Sequence, residues 1–587
     1  MAKIILVLFA SALALAGAAT DVVKHPNIIV LLSDDQGWGD LRSSGNTDIS
    51  TPNIDSLARD GASFDRFYVC SVCSPTRAEF LTGRHHAYSG VYSTSAGGER
   101  MNLDETTIAD IFRAAGYTTG AFGKWHNGMQ YPYHPNGRGF DEFYGFCSGH
   151  WGNYFDPMLE SNGRIVKGEG FCADDFTSKA MAFMEDAVGK GKPFFAYIPY
   201  NTPHSPMQVP ERFWQRFSDR PLKLKNEQKP EKKSADKHKR SALAMCENLD
   251  WNVGRVLKKL DALGVAEDTI VVWFHDNGPN GVRWNGGMKG KKGATDEGGV
   301  RSPLHFRWPA GIAAGTAISQ IASVRDLLPT LCDLAEVSAK SEKSLDGTSL
   351  KPLLLGDAGA WPDRILINHW KSKVSARSQR FRLDHAGKLF DMVADPGQRR
   401  AVTREHPEVV KKLAARVRAH SDQFMAGYYH DARPFVIAHP ESSFTQLPAR
   451  DGTAHGKIKR SNKFPNCSYF MDWTSIDDKI SWTAEVGASG TYEIVLYYAA
   501  EDAGAKCELS FKDSVLAFQI AEAHDVPELG AENDRYPRTE SYVKDFKAVS
   551  IGRIKLEKGE GELVLRATEI PGAEAMEFRL LTLERVK

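Results

Sequence analysis

A cysteine, a proline and an arginine at fixed spacing form the most chemically specific stretch of the sequence. Residues 69–84 read VCSVCSPTRAEFLTGR, with Pro75 two residues and Arg77 four residues after Cys73. Because Pro75 fixes φ and lacks an N–H donor, the spacing predicts a turn or extended segment at Cys73 and a helix from Thr76 onward. A helix N-terminus and a guanidinium group both favour an anion. Cys73 is therefore either a nucleophile beside an anion site or a buried structural cysteine.

Acidic and amide side chains follow two apolar runs of the chain. Asp34 and Asp35 come after the first run, and Asp276 and Asn277 come after the last. Adjacent carboxylates repel each other unless a cation lies between them, and oxygen ligands suit Ca²⁺ or Mg²⁺. Open α/β sheets bind ligands at the carboxyl ends of their strands, so the four side chains together predict one cation site. The alternative is an Asp-rich turn that caps the next helix.

Basic and histidine side chains follow the remaining apolar runs. Lys124 and His126 come after one run, and His204 stands between two prolines after another. The Gly-rich loop 286–299 carries three further lysines. Taken singly, Lys124 and His126 are more typical of a surface loop, and a lone histidine such as His204 is more often structural. Together with a nucleophile and a cation, they predict hydrolysis of a tetrahedral oxyanion ester.

The elements that must position these groups are predicted strands and helices of an α/β fold. Apolar, β-branched-rich runs predict buried strands at 28–32, 117–122, 193–200 and 269–274. Helical periodicity predicts helices after Thr51 and from Ser241 to Gly264, where the glycine ends the helix. A smaller α+β subdomain is predicted for residues 361–435.

The C-terminal residues 450–587 have a different sequence pattern, which predicts an appended β-sandwich. Short alternating strands are predicted at 479–486, 491–498, 508–511, 516–520, 551–556, 562–567 and 578–583. This part of the sequence shows no set of catalytic residues. Two interpretations stay open: a structural cap, or a carbohydrate-binding module in which Trp473, Trp482, Tyr497 and Tyr498 stack on sugar.

Composition and the N-terminal sequence limit the possible class of the protein and its possible compartment. The 587 residues carry 74 basic and 74 acidic side chains, which argues against a nucleic-acid-binding surface. Lys3, an apolar run to residue 16 and small residues at 17–19 predict a signal peptide of residues 1–19. A retained anchor is the alternative, but the run is short for a bilayer span. We therefore expect a secreted or periplasmic protein with no membrane span after cleavage.

The eight cysteines are too few for a disulfide scaffold in a chain of this length. Export would permit pairing among the seven cysteines other than Cys73. Cys70 and Cys73 also form a C-x-x-C motif, so a redox dithiol is a further alternative, although thioredoxin-like surroundings are absent.

Over residues 25–430 the sequence resembles the formylglycine-dependent type I sulfatases of the alkaline phosphatase superfamily. Cys73 to Arg77, followed by L-T-G-R at 81–84, matches the C-x-P-x-R signature of that family. The resemblance implies a catalytic domain at 25–360 with a central mixed, mostly parallel sheet flanked by helices, and then a small C-terminal subdomain. It also implies that a formylglycine-generating enzyme converts Cys73 to formylglycine (3-oxoalanine), whose hydrate is the nucleophile.

The same resemblance implies roles for the other residues. Arg77 would hold the nucleophile loop, and Lys124 and Lys292 would hold the sulfate oxygens. His204 would protonate the leaving alcohol, and His126 would take the proton whose loss restores the aldehyde. Lys292 is favoured within its loop because it precedes Glu297 by five residues, as in the pattern G-K-G-x-x-x-E-G-G of the family. The implied ligands of Ca²⁺, favoured over Mg²⁺, are Asp34, Asp35, Cys73, Asp276 and Asn277.

The sequence thus predicts an exported sulfuric ester hydrolase (EC 3.1.6.-) that acts on a sulfated poly- or oligosaccharide. A phosphatase or phosphonate monoester hydrolase would share the same scaffold and is the nearest alternative. A noncatalytic, secreted glycan-binding protein is an alternative of a different class.

Overall fold

The computed structural model describes residues 25–230, 235–357, 359, 361–424 and 432–586. The signal peptide predicted at 1–19 lies outside these residues. Within the described ranges, no helix has both the length and the apolar character needed to cross a membrane.

The region predicted as the catalytic domain is built on one mixed, eleven-stranded sheet. Its strands are β1 (Asn27–Ser33), β2 (Ala62–Tyr68), β3 (Thr118–Lys124), β4 (Glu142–Phe146), β5 (Met158–Ser161), β6 (Arg164–Lys167), β7 (Phe194–Pro199), β8 (Thr269–His275), β9 (Arg301–Arg307), β10 (Thr316–Ile318) and β11 (Ala322–Ser323). Their order is β10-β2-β9-β8-β1-β7-β3-β4-β5-β6, and β11 pairs with β2. The five middle strands β8, β1, β7, β3 and β4 are mutually parallel. The predicted α/β fold class is confirmed.

Helices cover both faces of this sheet. The helices of the chain are α1 (Pro52–Arg59), α2 (Cys73–Thr82), α3 (Ile108–Ala114), α4 (Cys172–Gly189), α5 (Glu211–Trp214), α6 (Asp236–Leu263), α7 (Glu297–Val300), α8 (Leu327–Leu334), α9 (Lys351–Leu354) and α10 (Pro407–Phe424). Alternate residues of β1 pack against α2, α3 and α8 on one face and against α1, α4 and α6 on the other. Because β1 is buried on both faces, its sequence is a continuous apolar run.

The helix after the Cys73 loop starts earlier than the sequence predicted. Helix α2 begins at Cys73 itself, after an extended Val72, and ends at a left-handed Gly83. The prediction of a start at Thr76 was wrong because Pro75 lies in the first turn, where no intrahelical bond needs its missing N–H. The inference that matters for chemistry stands, since Cys73 is at the N-terminus of a helix.

A small antiparallel sheet follows the catalytic part and packs against α10. Its strands are β12 (Leu366–Trp370), β13 (Lys373–Arg377), β14 (Phe381–Leu383) and β15 (Leu389–Asp391). Leu413 of α10 is buried in the cluster that this sheet forms with the helix. These elements fall within the range predicted for the α+β subdomain.

The C-terminal region is a β-sandwich of two six-stranded sheets. One sheet has the order β16-β21-β28-β23-β24 with β18 beside β21, and the other has β19-β20-β29-β22-β27 with β17 beside β29. A separate ribbon pairs β25 with β26. The bounds are β16 (Phe435–Ile437), β17 (Phe444–Pro448), β18 (Thr453–His455), β19 (Lys459–Arg460), β20 (Phe470–Met471), β21 (Lys479–Val486), β22 (Gly490–Ala499), β23 (Lys506–Phe511), β24 (Ser514–Gln519), β25 (Glu528–Leu529), β26 (Val543–Lys544), β27 (Lys547–Leu556), β28 (Gly559–Glu569) and β29 (Glu577–Arg585).

The aromatic residues proposed for sugar stacking are mostly inside this sandwich. Trp473, Trp482 and Tyr498 are at most 2% exposed and belong to its core. The prediction that these three stack on sugar was wrong, because residue type alone does not say whether an aromatic side chain points into the core or toward solvent. Tyr497 is half-buried and lines a cavity of about 390 Å³ between the sandwich and residues 151–158. All eight cysteines are buried, and none forms a disulfide.

Candidate active site

The carboxyl ends of neighbouring parallel strands bring the predicted site residues together. Ser33, the last residue of β1, is paired with His275, the last residue of β8, so Asp34 and Asp276 leave the sheet side by side. The Asp276 amide donates to the carbonyl of Ser33 at 3.0 Å, and the Asp35 amide donates to Asp276 Oδ1 at 3.0 Å. Lys124 is the last residue of β3. The topology thus places these groups at one edge of the sheet, as predicted.

Arg77 joins two carboxylates of the cluster from inside the protein. Its Nη2 lies 3.0 Å from Asp276 Oδ2 and 3.8 Å from Asp34 Oδ2, while its Nη1 donates to the carbonyl of Lys124 at 2.7 Å. The side chain is completely buried. Arg77 therefore ties α2, which carries Cys73, to the ends of β3 and β8.

Two lysines neutralise the adjacent aspartates. Lys124 Nζ lies 2.5 Å from Asp34 Oδ2, and Lys292 Nζ lies 2.6 Å from Asp35 Oδ1. Lys289 of the same Gly-rich loop instead lies 3.1 Å from Asp296 and 3.4 Å from Asp384. Lys292 is thus the better placed of these two lysines to meet an anion at the site.

The oxygen atoms of the cluster fit a hard divalent cation. Asp34 Oδ1 and Asn277 Oδ1 are buried and have no hydrogen-bond partner among the described residues. Potential ligand atoms of Asp34, Cys73 and Asp276 lie within 4.8 Å of one another. Burial, reinforced by the charge of Asp34, raises the pKa of Asp276 to about 8. A cation would relieve the repulsion between these carboxylates and use the unpartnered oxygens.

Cys73 is poorly suited to act as a thiolate. Its side chain is buried at the start of α2, and burial raises the pKa of its thiol to about 12 in spite of nearby Lys124 and Lys292. At neutral pH the thiol is therefore protonated, although the thiolate is the nucleophilic form of cysteine. A catalytic role for position 73 fits a chemically converted side chain better than a free cysteine.

The two predicted histidines are oriented by backbone carbonyls. His126, in the left-handed backbone region with φ 66°, donates from Nε2 to the carbonyl of Thr94 at 2.8 Å. Its Nδ1 is buried and has no partner among the described residues, and burial beside Lys124 holds the pKa of the ring well below its usual range. His204 donates from Nδ1 to the Ser205 carbonyl at 2.7 Å, and its Nε2 lies 3.7 Å from Asp35 Oδ2. Each ring thus presents one nitrogen for proton transfer.

The structure adds residues that sequence reasoning missed. The His150 ring lies 5.6 Å from the His204 ring, centroid to centroid, and its buried Nε2 has no hydrogen-bond partner in the part of the chain that the structure describes. The Asn127 amide donates to the carbonyl of Ser74 at 3.2 Å and so supports the first turn of α2. The adjacency of Asn127 to His126 was an available signal, whereas nothing near His150 in the sequence indicated that it lies beside His204.

Comparison with known proteins agrees with this geometry. A family model described as Sulfatase matches residues 26–337, just over half of the chain. The chain is 32% identical over 393 residues to N-acetylgalactosamine-6-sulfatase of Mus musculus, covering 60% of this chain and 70% of that relative. It is 34% identical over 381 residues to arylsulfatase A of Homo sapiens, covering 59% and 70%. The crystal structure of Ps i-CgsB in complex with k-i-k-neocarrahexaose aligns with a TM-score of 0.63 at 29% identity, covering 70% of this chain and 96% of that one. This chain therefore belongs to the sulfatase family, as a type I sulfatase of the alkaline phosphatase superfamily and a sulfuric ester hydrolase.

Proposed function

We propose that this sulfatase is exported, carries formylglycine at position 73, binds Ca²⁺ and removes sulfate from a sulfated carbohydrate. The observation that carries the proposal is the convergence of Asp34, Cys73 and Asp276 within 4.8 Å, flanked by Lys124 and Lys292. Carboxylates, two ammonium groups and a position at a helix N-terminus together suit a doubly charged cation facing a bound sulfate ester.

The residues present fit both implied groups. Asp34, Asp35, Asp276 and Asn277, together with position 73, would hold the Ca²⁺. When bound, the ion would supply positive charge at the ester oxygens, and the formylglycine hydrate would supply a hydroxyl nucleophile.

The two lysines and the arginine have different roles, substrate binding and loop positioning. In this proposal the ammonium groups of Lys124 and Lys292 bind sulfate oxygens and stabilise the charge that develops on them. Arg77 is buried behind the cluster and contacts Asp276 and the carbonyl of Lys124, so it positions the nucleophile loop.

The histidines transfer protons. His204 Nε2 protonates the oxygen of the leaving alcohol, while Nδ1, bound to the Ser205 carbonyl, fixes the plane of the ring. His126 is held neutral by burial and accepts a proton at the unpartnered Nδ1. Burial and the charge of Lys124 keep the ring neutral before the transfer, and the carboxylate of Asp34 offsets part of the positive charge that the ring gains when it accepts the proton.

The proposed substrate class is based on the names of the relatives. The proposed location is based on the predicted signal peptide. By their names, one relative acts on 6-sulfated N-acetylgalactosamine, and one matched structure contains k-i-k-neocarrahexaose. We therefore propose a sulfated poly- or oligosaccharide as substrate and a secreted or periplasmic location. A formylglycine-generating enzyme is the proposed maturation partner.

The test combines mass spectrometry of position 73 with rate measurements. Protein made with a maturation enzyme should carry an aldehyde at position 73 and hydrolyse aryl sulfate faster than aryl phosphate, and Cys73→Ala should lose both the aldehyde and the activity. An active protein with unmodified cysteine there would contradict the proposal. Faster hydrolysis of phosphate would favour the phosphatase alternative, and glycan binding without release of sulfate would favour the noncatalytic one.

A further inference from the structure

Two segments of the β-sandwich reach the histidines of the active site. In the segment 461–467, the Asn466 side chain donates to the carbonyl of Thr94 at 3.2 Å, the same oxygen that accepts from His126. The Cys467 thiol donates to the carbonyl of His150 at 2.8 Å. A Cβ atom at Gly149 would lie 2.2 Å from His126 Nε2 and 2.7 Å from Asn466 Nδ2, so the sandwich is packed tightly against this part of the cleft.

The second segment, residues 530–541, places a carboxylate beside His204. Glu540 Oε2 accepts a hydrogen bond from the hydroxyl of Ser205 at 2.7 Å, and Ser205 follows His204 directly. The Glu540 carboxylate also interacts electrostatically with the rings of His150 and His204. Glu540 is thus an acidic group from outside the matched family region that faces the proposed proton donor.

Buried polar contacts hold the second segment in place. Arg538 is paired with Asp534 at 2.6 Å, its side chain is completely buried, and it donates to the carbonyl of Gly152. Gln208 donates to the carbonyl of Gly530 at 2.8 Å and to Asp534 at 2.9 Å. These contacts join the segment to the loops that follow β4 and β7, so the sandwich is not an independent module on a tether.

An exposed aromatic ring lies in the first segment. Phe464 is 43% exposed, and the ammonium group of Lys463 lies 5.1 Å from the centre of its ring. An accessible aromatic face offers stacking to a sugar ring, and a neighbouring cation offers charge to a sulfate group. Phe464 stands two residues before Asn466, so the exposed surface of Phe464 and Lys463 adjoins the part of the cleft beside His126.

We propose that the β-sandwich forms the outer wall of the substrate cleft and selects the carbohydrate. Glu540 accepts a hydrogen bond from a free hydroxyl of the sugar that bears the scissile sulfate, and Phe464 with Lys463 binds a neighbouring unit of a sulfated oligosaccharide. Because Glu540 is anionic, it disfavours substrates with a second sulfate at that hydroxyl. This inference rests on the proposed function, and it places specificity outside residues 26–337, where the family match ends.

The experiment compares a small aryl sulfate with sulfated oligosaccharides of several lengths and sulfation patterns. The variants are Phe464→Ala, Lys463→Ala and Glu540→Gln, with Val515→Ala as the control because Val515 is 58% exposed on another strand of the same sandwich. We expect kcat/KM for the preferred oligosaccharide to fall about tenfold in each of the three, since binding energy remote from the sulfur is lost, and to fall much less for aryl sulfate. Glu540→Gln should also improve the relative rate on disulfated sugars.

Thermal unfolding of every variant separates folding from specificity. If Glu540→Gln is unstable, Phe464→Ala still tests whether the sandwich contacts the oligosaccharide, because the Phe464 side chain is exposed and its loss should not unfold the protein. Equal losses on both substrates, or no loss on either, would overturn this inference alone. A wild-type enzyme that hydrolyses aryl sulfate but no oligosaccharide would contradict both this inference and the carbohydrate part of the proposed function.

Discussion

The ammonium group of Lys292 lies 2.6 Å from Oδ1 of Asp35, at the carboxyl edge of the central sheet. Lys289, three residues earlier, is bound to Asp296 and Asp384 instead. The two lysines of one loop are therefore a matched pair for testing which positive charge meets the substrate.

Lys292→Ala should lower kcat/KM for sulfate esters by about 10²- to 10³-fold, the usual effect of losing one donor to developing charge. Lys289→Ala should change it by less than about threefold, because that side chain is bound away from the cluster. Steady-state kinetics on aryl sulfate distinguishes them. Similar losses in both variants would contradict the assignment of Lys292.

His204→Gln should reduce hydrolysis in a manner that depends on the leaving group. If His204 protonates the departing oxygen, sulfate esters of poorly acidic alcohols should lose activity by about 10²- to 10⁴-fold, and esters of acidic phenols much less. The measurement is a series of aryl and alkyl sulfates plotted against the pKa of the leaving group. An unchanged slope would assign proton donation to another residue.

Arg77→Ala should destabilise the fold as well as the site. The guanidinium is completely buried between Asp276 and the carbonyl of Lys124, so in the cation-loaded enzyme, where Asp276 is ionised, its removal leaves a buried carboxylate without its arginine partner. Loss of one partner of a buried ion pair costs about 3–5 kcal/mol of unfolding free energy. Urea unfolding measures this effect. Arg59→Ala is the control, because Arg59 pairs with Asp60 at the surface and should leave the midpoint nearly unchanged.

Cation binding should strengthen as pH rises toward 8. The pKa of Asp276, raised to about 8 by burial and by Asp34, means that without a cation this carboxyl holds a proton at neutral pH. A cation must displace that proton, so affinity increases with pH up to about 8 and levels off above it. Calorimetry of Ca²⁺ binding to EDTA-treated enzyme, in buffers with different ionisation enthalpies, measures the proton release. The pH dependence should weaken in Asp276→Asn, and an identical dependence there would contradict this origin.

Local sequence patterns were sufficient to predict four of the five parallel middle strands of the catalytic sheet, β1, β3, β7 and β8, and the residues at their ends. The predicted runs at 28–32 and 269–274 coincide with β1 and β8 to within a residue at each end. A strand buried on both faces has a continuous apolar sequence, and the polar residue that ends it is visible directly. Asp34 and Asp276 could therefore be selected before any contact between them was known.

Which side chains of a strand point into the core, and which distant residues contact each other, could not be predicted in the same way. Trp482 stands between two polar residues and Tyr498 follows another tyrosine in their strands, and only the packing of the two sheets decides that both side chains point into the core. The start of α2 at Cys73 depended on the tolerance of a first helical turn for proline.

What the sequence determined by itself was the spacing of Cys73, Pro75 and Arg77 and the residue types at the ends of the strands, because spacing within one short stretch and at strand ends is a local property. What only the tertiary structure decided was which charges meet and which parts of the chain enclose them. Lys292 rather than Lys289 contacts Asp35, and Glu540 lies more than 330 residues from its partner Ser205 in sequence. The first contact depends on how the Gly-rich loop folds over the sheet edge and the second on how the sandwich packs against the catalytic sheet, and no local sequence pattern encodes either.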